Sequence, residues 1–172
     1  PPPYPHLFRL HLAADPARAR QELVGILQEA PGTPVAGLAF RAWVREALDR
    51  GDVPEALRRA QALGSRAAGT SGWRDALWAL FAVAYPDHRE AAARALGDLR
   101  GRLPADPAVL YWSARTEPDP QARRDLLARL LRSDPLSYYA FLARRRWPEE
   151  TALPPGPDEP APPAPRVPDA FE

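Results

Sequence analysis

Apolar residues recur every three to four positions along most of the chain, in segments that short turns separate. In the first segment, Leu23, Ile26 and Leu27 follow helical spacing until Pro31 and Gly32 interrupt it. Further segments of this kind begin near Pro34, Asp52, Ser71, Asp87, Pro107, Pro120 and Pro135. No stretch alternates with a period of two, and Val and Ile are scarce. The predicted fold class is therefore all-α.

An aspartate followed by a proline opens several of these segments. The aspartate side chain accepts hydrogen bonds from first-turn amides, and proline is tolerated at the first helical position because that amide has no helical partner. The pairs are Asp15-Pro16, Asp106-Pro107, Asp119-Pro120 and Asp134-Pro135. Asp52 with Glu55, and Asp87 with Glu90, have the capping-box spacing and predict two more helix starts.

The short turns predict antiparallel helical hairpins. Gly51 is a natural helix-ending residue, and a loop as short as residues 50–52 leaves two helices little choice but to fold back on each other. Paired helices at roughly the 34-residue period of tetratricopeptide units predict a tetratricopeptide-like α-solenoid or superhelix. The period is irregular at the spacer of residues 64–72, so the same segments could also pack as a plain bundle.

The composition changes at residue 148. We expect residues 1–147 to form the helical repeat domain and residues 148–172 to form a disordered, proline-rich linker or tail of the polyproline kind. The first three residues are prolines, with no initiator methionine and no signal-peptide pattern. The chain is therefore expected to be a fragment or a processed product.

Charge and hydropathy give no sign of nucleic-acid or membrane binding. The 23 basic and 22 acidic residues leave a formal net charge of +1, so no overall field attracts nucleic acid or anionic lipid. All 23 basic residues are arginines, which we attribute to a GC-rich genome. The longest apolar run, from Ala76 to Tyr85, has about half the length that a membrane-spanning helix needs. No membrane span is expected.

The carboxylates and serines do not form a recognisable catalytic set. The adjacent acids Glu149 and Glu150 lie beside the predicted tail, where solvent would keep their pKa values ordinary, whereas a glycosidase needs one carboxyl group that burial keeps protonated. Ser113 and Ser137 have no partner histidine and aspartate at a suggestive spacing. No catalytic residue is predicted.

Metal and cofactor sites are not predicted either. The chain contains no cysteine, which excludes disulfides and thiolate ligands. The three histidines are His6, His11 and His88, and a five-residue step does not place the first two on one helix face. No glycine-rich phosphate loop is present. We therefore expect no cofactor.

The segment from Ala108 to Trp147 has the most specific pattern in the chain. A helix with Tyr-Trp-x-Ala-Arg is followed by a turn, a helix with late leucines, and then Pro-x-Ser-Tyr-Tyr-x-x-Leu-Ala. This segment resembles the superhelical region of soluble lytic murein transglycosylases. The matching residues are Tyr111, Trp112, Ala114, Arg115, Pro135, Ser137, Tyr138, Tyr139, Leu142 and Ala143. Ala140 departs from the family, which commonly has glycine after the double tyrosine.

The resemblance implies a scaffold, not the enzyme's chemistry. In that family the helical array looks like a ring or horseshoe on the cell-wall side, and a separate lysozyme-like domain cleaves the MurNAc–GlcNAc bond of peptidoglycan. The Glu-Ser pair and the Gly-Leu-Met-Gln segment of that domain do not occur here. The resemblance therefore implies a non-catalytic region in the periplasm or cell envelope, with peptidoglycan as partner and the chemistry beyond Glu172.

The helical pattern by itself is equally typical of a tetratricopeptide-like adaptor, which binds a partner protein in its concave face and carries no enzyme. Both alternatives stay open at this point. The candidate contacts with a partner or glycan are Trp112, Arg115, Tyr138, Tyr139, Arg144 and Arg145. The arginines near residue 145 also suit a helix C-terminus, whose partial negative charge they complement. The tryptophans are expected mainly to pack between helices.

Overall fold

The computed structural model of the protein describes residues 15–151, which are all-helical and contain no strand. This confirms the predicted fold class for that part of the chain. The histidines at positions 6 and 11 and the tail from residue 152 lie outside the described residues. The helices are Pro16–Glu29 (α1), Pro34–Asp49 (α2), Val53–Ala67 (α3), Ser71–Ala84 (α4), Arg89–Arg102 (α5), Pro107–Thr116 (α6), Pro120–Ser133 (α7), Tyr138–Arg146 (α8) and Pro148–Thr151 (α9).

Side-chain caps start most of these helices where the sequence predicts them. Asp15, Asp106 and Asp119 each accept hydrogen bonds from two first-turn amides, and Asp52 accepts one from the Glu55 amide at 3.0 Å. These contacts satisfy amide groups that a helix N-terminus otherwise leaves unpaired. The predicted starts of α1, α3, α6 and α7 are therefore confirmed.

Two predicted starts are wrong. The Asp134 amide still bonds to the Leu130 carbonyl, so Asp134 closes α7 instead of opening α8. Helix α8 begins three residues after Pro135 and is capped by Ser137, whose hydroxyl accepts from the Ala140 amide at 3.1 Å. Leu136, which the sequence places on the buried face of α8, lies instead in the intervening turn and is 94% exposed.

The other wrong start is Asp87. The His88 amide bonds to the Ala84 carbonyl at 2.7 Å, so Asp87 lies inside the turn that ends α4. Helix α5 begins at Arg89, without a side-chain cap, and Glu90 pairs with Arg94 in place of a backbone amide. A capping box needs the aspartate at the boundary itself, and here the boundary is one residue later.

Each described helix contacts only helices one or two places away in the chain. The most extensive contact joins α2 to α4, followed by α4 with α5, α2 with α3, and α6 with α7. Every pair of described helices with backbone proximity is adjacent or next but one in sequence. Each helix in the described region therefore meets at most the two helices before it and the two after it.

Two glycines allow α2 and α4 to approach closely. A Cβ atom on Gly72 would overlap the carbonyl group of Gly37, and a Cβ atom on Gly37 would overlap the hydroxyl of Thr70. The backbones therefore meet directly at this crossing. Most of the predicted spacer at residues 64–72 is helical, because α3 continues to Ala67 and α4 starts at Ser71.

The buried apolar residues form two clusters. The first is built from α1 to α5 and includes Val109 of α6, and its largest fully buried side chain is Phe40. The second joins α6, α7 and α8 around Leu110, Leu127 and Leu130. Trp112 packs against both clusters, which makes α6 the junction between them.

The helical part extends beyond the predicted boundary at residue 147. Helix α9 contacts α7 and α8, and its last residue, Thr151, is buried. Arg123 of α7 donates two hydrogen bonds to the Glu150 carboxylate, at 3.1 and 3.0 Å, and this pairing raises the pKa of the guanidinium. Glu150 is thus a structural residue that holds α9 against α7.

Candidate functional site

Aromatic rings fill the space between α4 and α6. The Trp112 ring lies 5.2 Å from Phe81 and 5.4 Å from Tyr85, in edge-to-face arrangements that suit the ring quadrupoles. Helices α4 and α6 have no backbone proximity, so their contact is made through side chains such as these. We call Phe81, Tyr85 and Trp112 the aromatic junction.

The rings continue into the second apolar cluster. Tyr111 is 5.7 Å from Trp112, 5.6 Å from Tyr139 and 5.9 Å from Trp147. Tyr139 is half-buried, and burial raises the pKa of its phenol. Tyr138 stacks edge-on against Tyr139 at 5.5 Å but is itself 67% exposed. Of the predicted contact residues, Trp112 and Tyr139 therefore pack mainly between helices, and Tyr138 faces solvent.

Arg115 rests on the aromatic junction. Its guanidinium carbon lies 4.8 Å from the Trp112 ring centre and 5.9 Å from that of Tyr85. The side chain is half-buried, and among the described residues it has no carboxylate or carbonyl partner. The rings hold this guanidinium by cation–π attraction, which leaves its N–H groups unused.

A cleft of about 470 Å³ opens beside Arg115. It lies between the end of α4, the first turns of α5 and the end of α6. Its lining consists of Tyr85, Pro86, Arg89, Ala92, Ala93, Arg115 and Thr116. Arg89 also has no ion pair within the described region. The cleft therefore combines an apolar floor with two guanidinium groups and no carboxylate among its lining residues.

The predicted contacts Arg144 and Arg145 lie elsewhere, in the last turn of α8. Arg144 donates a hydrogen bond to the Pro135 carbonyl at 2.7 Å and so closes the turn that precedes its own helix. Arg145 is exposed. Together with Arg146 they complement the negative end of the helix. The six predicted residues thus fall into two separate regions, one at the Arg115 cleft and one at α8.

A larger cleft of about 790 Å³ lies between α2 and α4. Its charged residues are already paired: Arg41 contacts Asp75 at 3.1 Å, Arg45 contacts Asp49 at 2.8 Å, and Arg50 contacts Glu46. Such surface pairs leave few free donors for a ligand. This cleft is larger than the one beside Arg115, but it is the weaker candidate for a binding site.

Sequence reasoning missed a buried arginine between α2 and α3. Arg59 is 7% exposed and donates to Glu46 at 2.5 Å, to Glu55 at 2.8 Å and to the Trp43 carbonyl at 2.7 Å. Its guanidinium carbon also lies 3.8 Å above the Trp43 ring. The sequence pattern could have indicated this burial, because Arg59 lies in the buried stripe of α3 next to Ala60.

Ser113 has the other unusual buried group. Its side chain is 5% exposed, and its hydroxyl oxygen has no hydrogen-bond partner among the described residues. No histidine or carboxylate lies in contact with it that would make it a nucleophile.

The described region offers no metal site and no membrane span. It contains no group of three or more histidine, cysteine, aspartate or glutamate side chains that could hold an ion. None of the helices in that region is long and apolar enough to cross a bilayer.

Comparison with known proteins found no relative. The chain matches no family model, no curated protein and no solved structure. The resemblance to the transglycosylase helical region therefore depends on the residues of the segment Ala108 to Trp147 alone.

Proposed function

We propose that the chain is a non-catalytic helical scaffold of the α-solenoid kind. The observation that carries this proposal is that each described helix contacts only helices one or two places away in sequence. Solenoids have this property because each repeat packs only on the repeats beside it, whereas a globular bundle also brings distant helices together.

The spacing of equivalent helices supports tetratricopeptide-like repeats. The first residues of α2 and α4, Pro34 and Ser71, are 37 positions apart, and those of α4 and α6 are 36 apart. Both values are close to the ~34-residue tetratricopeptide period. From α6 to α8 the step shortens to 31, which fits a degenerate array.

We further propose that this scaffold belongs to a peptidoglycan lytic transglycosylase of the cell envelope. The supporting observation is that residues behind the resemblance also hold α6, α7 and α8 together. The rings of Tyr111 in α6 and Tyr139 in α8 contact each other, and Ala114 and Ala143 are buried in the same cluster. In this proposal a separate lysozyme-like domain cleaves the glycan, and the present helices position it.

Sedimentation with purified murein sacculi tests the second proposal. The chain should co-sediment with sacculi and release no soluble muropeptides from them, because it lacks the catalytic glutamate motif. An unrelated helical-repeat protein of similar size and charge is the control. Failure to sediment above that control would contradict the transglycosylase assignment but leave the solenoid intact.

An adaptor that binds a partner protein remains the alternative, and one observation favours it. Leu136, Tyr138 and Phe141 are 94, 67 and 58% exposed at one end of the array. Exposed large apolar side chains of this kind are common at protein interfaces. Recovery of one stoichiometric protein partner, together with no binding to sacculi, would support the adaptor.

A further inference from the structure

The geometry points to a carboxylate-binding site in the cleft beside the aromatic junction, formed by Arg89 and Arg115 and suited to an acidic peptide segment. This inference goes beyond the scaffold role and does not depend on which envelope or partner protein the scaffold serves. It starts from the two guanidinium groups that line one cleft and have no ion pair within the described region.

Arg115 is already oriented for such a ligand. The rings of Trp112 and Tyr85 hold its guanidinium at 4.8 and 5.9 Å, so little side-chain freedom remains to be lost on binding. A guanidinium that stacks by its face keeps its N–H donors at the edge. Those donors match the two oxygens of a carboxylate in a planar, bidentate arrangement.

Arg89 occupies a helix position that does not favour a cation, and it forms no ion pair with Asp87 or Glu90, which lie beside it in the chain. It is the first residue of α5, where the helix carries partial positive charge and a cation is unfavourable. Most other cations near α5 are better placed; Arg94, for example, pairs with Glu90 at 2.5 Å. An anion bound between Arg89 and Arg115 would relieve the repulsion at this helix start and satisfy both guanidinium groups.

The rest of the lining selects the class of ligand. The lining also contains apolar surface from Pro86, Ala92, Ala93 and the Tyr85 ring. An inorganic anion would leave this apolar surface exposed to water. The methylene groups of glutamate and aspartate side chains can cover it while their carboxylates bind the guanidinium groups. The cleft volume of about 470 Å³ holds a few residues of extended peptide, not a folded domain.

The test uses the intact chain and a fluorescein-labelled tetraglutamate peptide, with labelled tetraglutamine as the uncharged probe. Fluorescence anisotropy should show saturable binding of tetraglutamate only. Arg89→Gln and Arg115→Gln should each weaken it by about tenfold, which corresponds to one lost charge-assisted hydrogen-bond pair. Arg115→Lys keeps the charge but not the bidentate edge, so it should also bind more weakly than the unmodified chain.

Arg100→Gln is the matched control, because Arg100 is exposed on the same helix and its loss changes the net charge equally. Circular dichroism verifies that each variant is folded. In parallel, the arginine Nε–H signals of ¹⁵N-labelled protein should shift at residues 89 and 115 on titration with the peptide. Equal affinity in the Arg89→Gln, Arg115→Gln double variant and the Arg100→Gln control would overturn the inference. So would a response of these two signals to inorganic phosphate but not to tetraglutamate.

Discussion

At the scale of single residues, Arg59 shows how the interior tolerates a charge. Its guanidinium is surrounded by two carboxylates, one backbone carbonyl and the Trp43 ring, so most of its donors are used. A buried cation without such partners would be strongly unfavourable. The network joins α2, which carries Glu46, to α3, which carries Glu55, and is best understood as structural.

We predict that Arg59→Met lowers the free energy of unfolding by about 2 to 4 kcal/mol, because the partly buried carboxylates of Glu46 and Glu55 both lose a buried partner. Arg58→Met is the control. Arg58 contacts the same Glu55 but is exposed, and its loss should change stability by about 0.5 kcal/mol or less. Urea denaturation followed by circular dichroism measures both values. Similar small losses in the two variants would contradict the structural role of Arg59.

The same network predicts a pH dependence. Hydrogen bonding to Arg59 is the largest cause that lowers the pKa of Glu55 below its ordinary value of 4.5. The folded state therefore binds this proton less readily than the unfolded state. The stabilisation is complete above pH 4.5 and is lost as the pH falls through the lowered pKa. Stability curves measured below pH 5 should be flatter in Arg59→Met than in Arg58→Met.

Two serines provide opposite predictions. Ser113→Ala should raise the free energy of unfolding by about 1 kcal/mol, because it removes a buried, unpaired hydroxyl and improves helix propensity. Ser137→Ala should lower it by about 1 kcal/mol, because Ser137 caps α8. Thermal and urea denaturation of both variants check the signs. A loss of stability in Ser113→Ala would show that its hydroxyl has a partner or a role.

At the scale of elements, the caps show what local sequence can and cannot predict. Asp106 and Asp134 are both followed by proline, yet only Asp106 opens a helix. The difference lies in the preceding residues: α7 continues its hydrogen bonds as far as Asp134, whereas α5 ends at Arg102 and leaves a turn before Asp106. The end of the preceding helix depends on packing with other helices, and an Asp-Pro pair does not show where that end lies.

The crossing of α2 and α4 gives a sharper test at this scale. Gly37→Ala and Gly72→Ala should each lower the free energy of unfolding by roughly 1 to 3 kcal/mol, because the new methyl group forces the two helices apart. Gly97→Ala is the matched control in α5, where a Cβ atom would meet nothing within 4 Å. It should raise stability by about 0.5 to 1 kcal/mol. If Gly72→Ala were as stable as Gly97→Ala, the close approach would be wrong.

At the scale of the whole molecule, the helical pattern predicted the kind of elements better than their arrangement. Hydropathy marks the buried face of each helix, and most predicted core positions, such as Leu23, Ile26 and Leu27, are buried. It does not state which neighbour covers that face. The closest contact depends on two glycines, and the junction at Trp112 depends on ring geometry. Neither the glycine contact nor the ring contact can be recognised from the hydropathy of the sequence.

The candidate site was predictable only in part. Trp112 and Arg115 were singled out from their motif, and the structure brings them together with Tyr85. Arg89 was not predicted, because it lies on another helix. Its position near Arg115 depends on how α5 packs beside α6. Pairings between distant segments become visible only after the helices are placed.

Native-state hydrogen exchange on a Leu127→Ala variant is the most direct test of the proposed α-solenoid. Leu127 is fully buried in the second apolar cluster. If the array is a solenoid, the variant should lower the opening free energy of amides in α6 to α8 by about 2 to 4 kcal/mol and leave those of α2 and α3 unchanged. An equal drop in protection across all helices would mean a single cooperative bundle and would contradict the account.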